Sequence, residues 1–453
     1  MLSILDRMVD SEMDSMIADL QSLVRQPSVS AKNQGLAECA NLVSVIMRKA
    51  GIKSEVLYLD EKSIPPIVYG EVESKSNPSK TLLFYNHYDV QPVEPLELWD
   101  ADPFSGKLEG NYIYGRGSAD DKGELITRIK AVEYFLKKTG DVPCNIRFIV
   151  EGEEEIGSVH VEHYLQKYRD RLACDGVIWE FGYVDAKDKP IISLGMKGLL
   201  YVELFAEGPS RDAHSSLAVL IENPAWRLVS ALATMRDTNG RILIRDWYKE
   251  VRDFTPEEVE LIAREPFDEK EFKEEYGVNQ FVAKAQGKDI KKALVGRPTC
   301  NIAGLYSGYI GEGAKTVLPA RAMVKLDFRL VPDMVPETQL KRLKDHLSEN
   351  GFGDIRVNFI HGEAAARTLI SHPFVKQVET AATEVFGSSI VSVSSAGTGP
   401  MYSFAKVLGA PCISIGGTYM FARIHSPNEF ARVDLLNKTT KCMCRIMEKF
   451  SLA

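Results

Sequence analysis

The sequence contains seven cysteines but no two of them in a CxxC pair. This odd-numbered set argues against a disulfide framework and against a zinc site built from cysteine sulfur. Cys442 and Cys444 fall on a helical pattern near the end of the chain and are interpreted as packing residues. Any bound metal ion would therefore need nitrogen and oxygen ligands.

An excess of positive charge is also missing, because 55 Lys and Arg residues stand against 63 Asp and Glu residues, for a formal net charge of -8. We therefore expect no nucleic acid or membrane partner, whereas small neutral or cationic partners are easier to accommodate. No uninterrupted apolar run approaches the ~18 residues that a membrane span requires. The first stretch, MLSILDRMVDSEMDSM, has acidic residues too early for a secretory signal. These absences predict a soluble cytoplasmic protein.

The chain does contain enough apolar residues, 45% of 453, for a sizeable core and two or three domains. In its first part, strand patterns at TLLFYNHYDV, NIRFIV and GVIWEF alternate with helical patterns. The helical pattern that begins at Lys122 repeats apolar residues at Leu125, Ile129, Val132 and Leu136. The alternation predicts an α/β domain whose mostly parallel central sheet is covered on both faces. Sheets of this kind bind ligands beyond the carboxyl ends of their strands.

From about residue 198 the patterns change to strand, helix, two strands, helix and strand. This order is that of the ferredoxin-like split βαβ fold. We therefore predict an α+β domain at 198–365, inserted into an α/β domain that is formed by 1–197 and 366–453. The highly charged segment 237–297 of the insert is interpreted as extra helices or a surface excursion, and its role cannot be read from the sequence.

Polar residues suited to metal binding lie at the ends of the apolar strands. A pair of divalent cations that shares a water molecule needs imidazole and carboxylate ligands, a bridging carboxylate, and a free carboxylate that accepts a proton. Residues of these types are His87, Asp120, Glu154, Glu155, Glu180 and His425. Each one alone is weak support, because acidic runs such as EGEEEIGS usually lie on solvated faces.

Two local patterns sharpen this interpretation. Asp89 follows His87 by two residues, and a histidine that binds metal normally donates its second N–H to a carboxylate, which fixes its tautomer. The stretch GRGSAD invites a dinucleotide-binding interpretation, but the GxGxxG pattern would need glycine where Asp120 stands. An aspartate in this strand-to-helix turn is better suited to a metal ion.

Seven motifs follow one another along the chain: HYDVQP, WDADPFSG, YGRGSADDKG, EGEEEIGS, RDAHSS, KTVLPARAMVKLDFRLVP and HSPNEF. Together they resemble the M20 family of metallopeptidases, in particular its dipeptidase and carboxypeptidase members, over almost the whole chain. A chance match would not give seven motifs in the family's order. The resemblance implies a zinc-peptidase-like catalytic domain, and it implies that the insert is the family's lid and dimerisation domain.

The resemblance also implies two divalent metal ions, zinc first and manganese or cobalt as alternatives. The first ion would be bound by His87, Asp120 and Glu180. The second ion would be bound by Asp120 as the bridge, Glu155 and His425. Glu154 would act as the general base, and Asp89 would support His87.

In the insert, the resemblance implies contacts with the substrate. His214 in RDAHSS would reach the site of a neighbouring subunit and stabilise the developing oxyanion, so a homodimer is expected. Arg329 in DFRLVP would hold the substrate carboxylate, and Thr316 and Thr398 would add further contacts. The remaining histidines have no such match and are His160, His163, His346, His361 and His372.

The prediction is thus a dizinc hydrolase that cleaves the amide bond next to a free C-terminal carboxylate in dipeptides or short peptides. Glu180 stands where dipeptidase members have aspartate, and glutamate there is more frequent in carboxypeptidases and N-acyl-amino-acid hydrolases. A deacylase or desuccinylase acting on N-acyl amino acids is therefore the alternative. A homologue that binds metal without catalysis is a second alternative, against which the intact ligand and base positions count.

Overall fold

The structure is a computed structural model, and it describes residues 2–61, 63–265 and 267–452. The helices of these residues are α1 Leu2–Ser11, α2 Met13–Arg25, α3 Leu36–Lys49, α4 Lys122–Thr139, α5 Val161–Lys167, α6 Arg169–Leu172, α7 Pro224–Met235, α8 Pro256–Arg264, α9 Glu269–Tyr276, α10 Lys288–Gly296, α11 Pro336–Glu349, α12 Pro373–Phe386, α13 Met401–Leu408 and α14 Val433–Ser451. Within the described residues, no helix is both long and apolar enough to cross a membrane.

The strands of the described residues have two to ten residues, and β11 and β15 are the longest with ten each. They are β1 Lys53–Leu57, β2 Ile67–Val72, β3 Thr81–His87, β4 Lys107–Glu109, β5 Tyr112–Tyr114, β6 Asn145–Glu151, β7 Gly176–Trp179, β8 Tyr183–Val184, β9 Ile191–Ser193, β10 Gly195–Met196, β11 Gly198–Glu207, β12 Ala213–His214, β13 Asn301–Ser307, β14 Val317–Leu318, β15 Arg321–Leu330, β16 Arg356–Glu363, β17 Ala366–Arg367, β18 Ile390–Ser392, β19 Cys412–Ser414, β20 Thr418–Tyr419 and β21 Phe430–Arg432.

The chain divides into two compact units. Unit 1 consists of Met1–Gly195, Arg367–Val393 and Gly399–Ala453, and unit 2 consists of Met196–Ala366 and Ser394–Thr398. The sequence analysis predicted 394–398 as part of the outer domain, whereas these residues group with unit 2. The segment belongs to unit 2 because its backbone and side chains bond there: the N–H of Lys197 donates to the carbonyl of Gly397 at 2.9 Å.

Unit 1 is built on an eight-stranded sheet in the order β1-β2-β6-β3-β7-β19-β9-β18. The central strands β6, β3, β7 and β19 are parallel to one another, whereas β1, β2 and the β19–β9 pair are antiparallel. The mostly parallel sheet is confirmed.

Both faces of the unit 1 sheet are covered. Phe84 of β3 belongs to the main apolar core with residues of α2, α3, α4, α12 and α14. The next residue, Tyr85, points to the other face, where its ring lies 4.7 Å from that of Phe404 in α13. Strands buried on both faces are continuously apolar, which explains the runs seen in the sequence.

Unit 2 contains a four-stranded antiparallel sheet in the order β13-β15-β11-β16. With α7 and α11 it follows the chain order strand, helix, two strands, helix, strand, and the ferredoxin-like fold is confirmed. Buried and half-buried residues alternate along β11 and β15, so one face of the sheet forms a core with α7 and α11. The charged segment 237–297 contains α8, α9 and α10.

Candidate metal centre

Three parallel strands of unit 1 bring acidic and histidine side chains to one edge of the sheet. His87 ends β3 and pairs in register with Glu151 at the end of β6, and Glu180 directly follows β7. The turn after β6 carries Glu154 and Glu155. Because the carboxyl ends of parallel strands meet at the same edge, residues far apart in the sequence become neighbours here.

The side chains form two groups that each could hold a metal ion. The first group is His87, Glu154 and Glu180. The second group is Asp120, Glu155 and His425. In each group, one potential ligand atom per residue lies within 4.8 Å of the others.

Asp120 of the second group also contacts the first group. Its Oδ1 is 3.1 Å from Nε2 of His87, and its Oδ2 is 3.1 Å from Nε2 of His425. Nε2 of His425 is also 3.1 Å from Oε2 of Glu155. A carboxylate with one oxygen toward each group has the geometry needed to bridge two cations. The sequence analysis expected Asp120 in both ligand sets, and its two oxygens point toward both.

The unpartnered oxygen of Glu180 tests whether a cation fits. Its Oε1 accepts a hydrogen bond from Nε1 of Trp179 at 3.1 Å, but its buried Oε2 has no hydrogen-bond partner among the described residues. That oxygen lies 3.9 Å from Nε2 of His87. A buried carboxylate oxygen without a partner is costly, and a cation would compensate it. The nitrogen and oxygen donors present here suit zinc. The same donor types also suit manganese and cobalt.

The pKa values of the acidic side chains support the same conclusion. Burial, followed by the charge of Glu180, raises the pKa of Glu154 well above its ordinary range. Burial likewise raises the pKa of Glu180, to which the charges of Asp121 and Asp120 contribute. Carboxylates crowded in this way need positive charge to remain ionised. The residues therefore fit a pair of divalent cations.

The histidines carry the only positive charge within the two groups. Hydrogen bonds to Asp120 and Glu155 raise the pKa of His425 to about 10. Burial alone would lower the pKa of His87, but hydrogen bonds to Asp120 and Asp89 outweigh it and raise that pKa. A histidine must be neutral to bind a metal ion, so metal binding would release these protons.

Asp89 joins His87 to the acidic turn. One of its carboxylate oxygens lies 3.4 Å from Nδ1 of His87, while its backbone carbonyl oxygen lies 3.1 Å from the same nitrogen. The carboxylate also accepts hydrogen bonds from the backbone N–H groups of Glu154 at 3.2 Å and Glu155 at 3.1 Å. Asp89 therefore orients Nε2 of His87 toward Asp120 and fixes the turn that carries both glutamates.

Glu429 is a site residue that the sequence analysis quoted within HSPNEF but did not assign. One carboxylate oxygen accepts hydrogen bonds from the N–H groups of Ala119 at 3.0 Å and Asp120 at 3.1 Å. The other accepts from the N–H of Gly117 at 3.1 Å and from Nη1 of Arg116 at 2.7 Å. The fully buried carboxylate thus holds the loop from which Asp120 projects.

Three further residues support the ligands and were also missed. Nδ2 of Asn86 donates to Oδ2 of Asp121 at 2.7 Å and to the carbonyl of Glu180 at 3.1 Å. The same Asp121 oxygen accepts from the N–H of His87 at 3.1 Å. Nε2 of Gln91 donates to Oε2 of Glu155 at 2.8 Å. The available signal was position in the sequence, since Asn86 and Asp121 are adjacent to His87 and Asp120, and Gln91 lies four residues after His87.

The four residues predicted to contact substrate form two pairs within unit 2. Oγ1 of Thr316 lies 3.3 Å from Nε2 of the exposed His214, whose Nδ1 lies 2.8 Å from Oγ of Ser216. Nη1 of Arg329 donates to Oγ1 of Thr398 at 2.7 Å. Thr398 in turn donates to the carbonyl of Gly198 at 3.2 Å.

A comparison with protein families agrees with this site. A family model described as Peptidase family M20/M25/M40 matches residues 83–449, most of the chain. The chain belongs to this family. The family that seven motifs predicted is therefore confirmed, and membership makes this M20 protein a hydrolase that acts on peptide or amide bonds.

Individual M20 relatives are similar to this chain in sequence, and a solved structure is similar to it in fold. The Cys-Gly metallodipeptidase dug1 of Schizosaccharomyces pombe is 29% identical over 98% of this chain and 97% of its own. The human Beta-Ala-His dipeptidase is 32% identical over 70% of this chain, which spans 62% of that relative's length. The crystal structure of an M20 family metallo-carboxypeptidase, Sso-CP2 from Sulfolobus solfataricus, is 38% identical with a TM-score of 0.91, covering 97% of this chain and 99% of that one.

Proposed function

We propose that this M20 peptidase binds two divalent cations and hydrolyses the amide bond next to a free C-terminal carboxylate in dipeptides and short peptides. The observation that carries the proposal is Asp120, whose two carboxylate oxygens each lie 3.1 Å from a histidine of a different group. Zinc is the proposed metal, with manganese and cobalt as alternatives. The relatives named as dipeptidases and as a carboxypeptidase support this substrate class.

Each residue of the centre has a proposed task. The residues that would hold the first cation are His87, Asp120 and Glu180. The residues that would hold the second cation are Asp120, Glu155 and His425. When bound, the cations lower the pKa of a water molecule and polarise the carbonyl group of the substrate. Glu154 would accept the proton of the attacking water and pass it to the leaving amine.

Arg329 is the proposed partner of the substrate carboxylate. The hydrogen bond from its Nη1 to Thr398 fixes the guanidinium group, while its other side-chain N–H groups have no partner among the described residues. A planar guanidinium binds a carboxylate through two parallel hydrogen bonds. This requirement for a free carboxylate restricts hydrolysis to the last peptide bond of a chain.

We also propose that the protein works as a homodimer formed through unit 2. Strand β13 is an edge of the unit 2 sheet and exposes Ile302, Leu305 and Tyr306 by half or more of their surfaces. Val219 and Leu220 are more than 80% exposed and follow His214 by a few residues. Apolar side chains on an open edge strand favour pairing with another chain, and a second copy of β13 is the proposed partner. His214 and Thr316 would then contribute to the site of the other subunit.

The cytoplasmic location of the protein stays a prediction.

A substrate panel tests the proposed activity. The metal-stripped protein is assayed after addition of zinc, manganese or cobalt with dipeptides, longer peptides and N-acyl amino acids. We expect no turnover without metal and hydrolysis of the C-terminal peptide bond with it, and amidation of the C-terminal carboxylate should abolish cleavage. Full turnover by protein shown to be metal-free by elemental analysis would contradict the mechanism.

The same panel decides the alternative function. The alternative is an N-acyl-amino-acid amidohydrolase. It rests on Glu180, because the resemblance associates glutamate at this position with deacylases as well as with carboxypeptidases. If kcat/KM for N-acetyl or N-succinyl amino acids exceeds that for every peptide, the protein is a deacylase or desuccinylase. Metal binding without turnover of any substrate would instead indicate a catalytically inactive homologue.

A further inference from the structure

We propose that a cavity of unit 1 binds the amino-terminal residues of peptides longer than a dipeptide. The inference rests on the proposed peptidase function and adds its substrate length. The cavity has a volume of about 530 Å³, within the usual range for ligand pockets. Its wall includes Trp99, Tyr112, Tyr114, Phe430, Asp100 and Arg423.

The aromatic part of the wall is suited to peptide side chains. The rings of Tyr112 and Phe430 pack edge to face with centroids 5.2 Å apart, and the ring of Tyr114 lies 5.8 Å from that of Phe430. Trp99 is fixed by a hydrogen bond of 2.8 Å from its Nε1 to the carbonyl of Val93. Aromatic surfaces of this kind bind apolar and aromatic side chains with little loss of conformational entropy.

The polar part of the wall carries charge of both signs. Lys107 and Glu109 form an ion pair of 2.5 Å, whereas the side chains of Asp100 and Arg423 form no hydrogen bond or ion pair among the described residues. The buried Oγ of Ser105 also has no partner there. A peptide matches this wall, because its terminal ammonium group pairs with Asp100 and its amide carbonyls accept hydrogen bonds from Arg423 and Ser105. A phosphate ligand does not match it, because no cluster of cations is present.

The cavity and the metal centre share the chain segment 423–430. Arg423 precedes His425 by two residues, so their Cα atoms are at most about 7 Å apart. Glu429 stands between Asn428 and Phe430, which both line the cavity, and it accepts the hydrogen bond from the N–H of Asp120 at 3.1 Å. A substrate whose last peptide bond lies at the metal centre therefore needs only a few extended residues, at about 3.5 Å each, to reach the cavity.

The test compares peptides that share their last two residues and differ in length. We measure kcat/KM for a dipeptide and for the tripeptide and tetrapeptide made by adding residues at its amino end. The wild-type enzyme should prefer the longer peptides, and Tyr112→Ala should lower the ratio of tripeptide to dipeptide kcat/KM by about fivefold, through loss of an aromatic contact. Leu108→Ala is the matched control, because Leu108 is exposed on the same hairpin and points away from the cavity between Lys107 and Glu109.

Asp100→Asn tests the ammonium contact without altering an aromatic residue. Acetylation of the tripeptide's amino group should lower kcat/KM in the wild-type enzyme and have a smaller effect in Asp100→Asn. Titration calorimetry with Glu154→Gln provides a second readout that needs no turnover, and the longer peptides should bind this variant more tightly than the dipeptide. Equal affinity for all lengths, or a length ratio untouched by both cavity variants, would overturn the inference while leaving peptide hydrolysis intact. Failure to cleave any peptide would overturn the proposed function instead.

Discussion

Glu154 and Glu155 are neighbours in the sequence, but their carboxylates have different surroundings. Oε2 of Glu155 lies 3.1 Å from Nε2 of His425 and accepts a hydrogen bond of 2.8 Å from Gln91, so it is held as part of the second group. The Glu154 carboxylate has no side-chain hydrogen bond among the described residues, and its pKa is raised by burial. A fixed carboxylate suits a metal ligand, whereas a less constrained carboxylate can approach the attacking water molecule as a base.

Replacing Glu154 with Gln should therefore remove catalysis and spare the metals. The amide has the shape of the carboxylate but cannot accept a proton, so we expect kcat to fall by roughly 100-fold or more. Metal content by elemental analysis should stay at that of the wild type. Glu153→Gln is the control, because Glu153 pairs with His160 at 2.9 Å instead of facing either group. Loss of one metal from Glu154→Gln would mean that the two glutamates have exchanged roles.

Glu429→Gln should weaken metal binding. The carboxylate accepts four hydrogen bonds around the Asp120 loop, and the amide nitrogen of Gln would face backbone N–H groups that it cannot accept from. Loss of a residue that orients a ligand typically lowers metal affinity by about 10- to 100-fold. Titration against a chromophoric chelator measures this change, with Glu384→Gln at an exposed ion pair as the control. A lower melting temperature with unchanged metal affinity would show that Glu429 only stabilises the fold.

The residues that bond to the ligands were harder to predict than the candidate ligands themselves. His87, Asp120 and Glu155 stand out because they lie in motifs that together resemble those of the M20 family, although their individual tasks stay predictions. Glu429 gives no such signal. Its function depends on the approach of two segments more than 300 residues apart, which no local pattern records. Asn86 and Asp121 are ordinary polar residues until the fold brings them together.

At the scale of elements, helix α4 is more deeply buried than its sequence pattern indicates. The pattern predicted one apolar stripe through Leu125, Ile129 and Val132, but every residue from Lys122 to Phe135 is buried. The charged face is accommodated because Glu124 and Arg128 pair with each other, and Nη2 of Arg128 also donates to the carbonyl of Ile415 at 3.0 Å. Periodicity detects apolar faces and cannot detect a polar face that is satisfied internally.

Breaking this buried pair should be costly. Arg128→Met leaves the buried carboxylate of Glu124 without its positively charged partner, and we expect the free energy of unfolding to fall by about 3 to 5 kcal/mol. Lys137→Met is the control on the same helix, because Lys137 is a partly exposed residue whose ion pairs should contribute no more than about 1 kcal/mol. Urea titration of the metal-free proteins provides the comparison. Equal losses for both variants would show that the burial of the pair does not matter.

At the scale of the whole molecule, the order of strands in the unit 1 sheet could not be read from the sequence. The patterns indicated the strands and their class, but β19 of the last segment lies between β7 and β9 of the first. Strand order depends on which apolar surfaces fit each other after long connections. The alternation of residues along a strand does not indicate which strand will lie beside it. For the same reason, the return of 394–398 to unit 2 was not foreseen.

The proposed dimer can be tested by mixing two inactive variants. His214→Ala should lower turnover strongly without loss of metal, because an oxyanion donor is worth about 3 to 4 kcal/mol in the transition state. Mixed with Glu154→Gln, each hybrid dimer combines the intact His214 of one chain with the intact metal centre of the other. One of its two sites should then regain activity. No recovery after verified subunit exchange would mean that His214 acts within its own chain or has a structural role.

The position of β19 has a consequence for synthesis on the ribosome. Unit 2 is almost continuous in the chain and is complete apart from 394–398 once Ala366 has been made. Unit 1 starts first, but its sheet lacks a central strand until residues 412–414 leave the ribosome. Its loop at Asp120 likewise lacks the hydrogen bonds to the Glu429 carboxylate until Glu429 has been made. Domains generally fold as they emerge, so unit 2 can become native before unit 1, and the proposed metal centre is incomplete until His425 and Glu429 have been made.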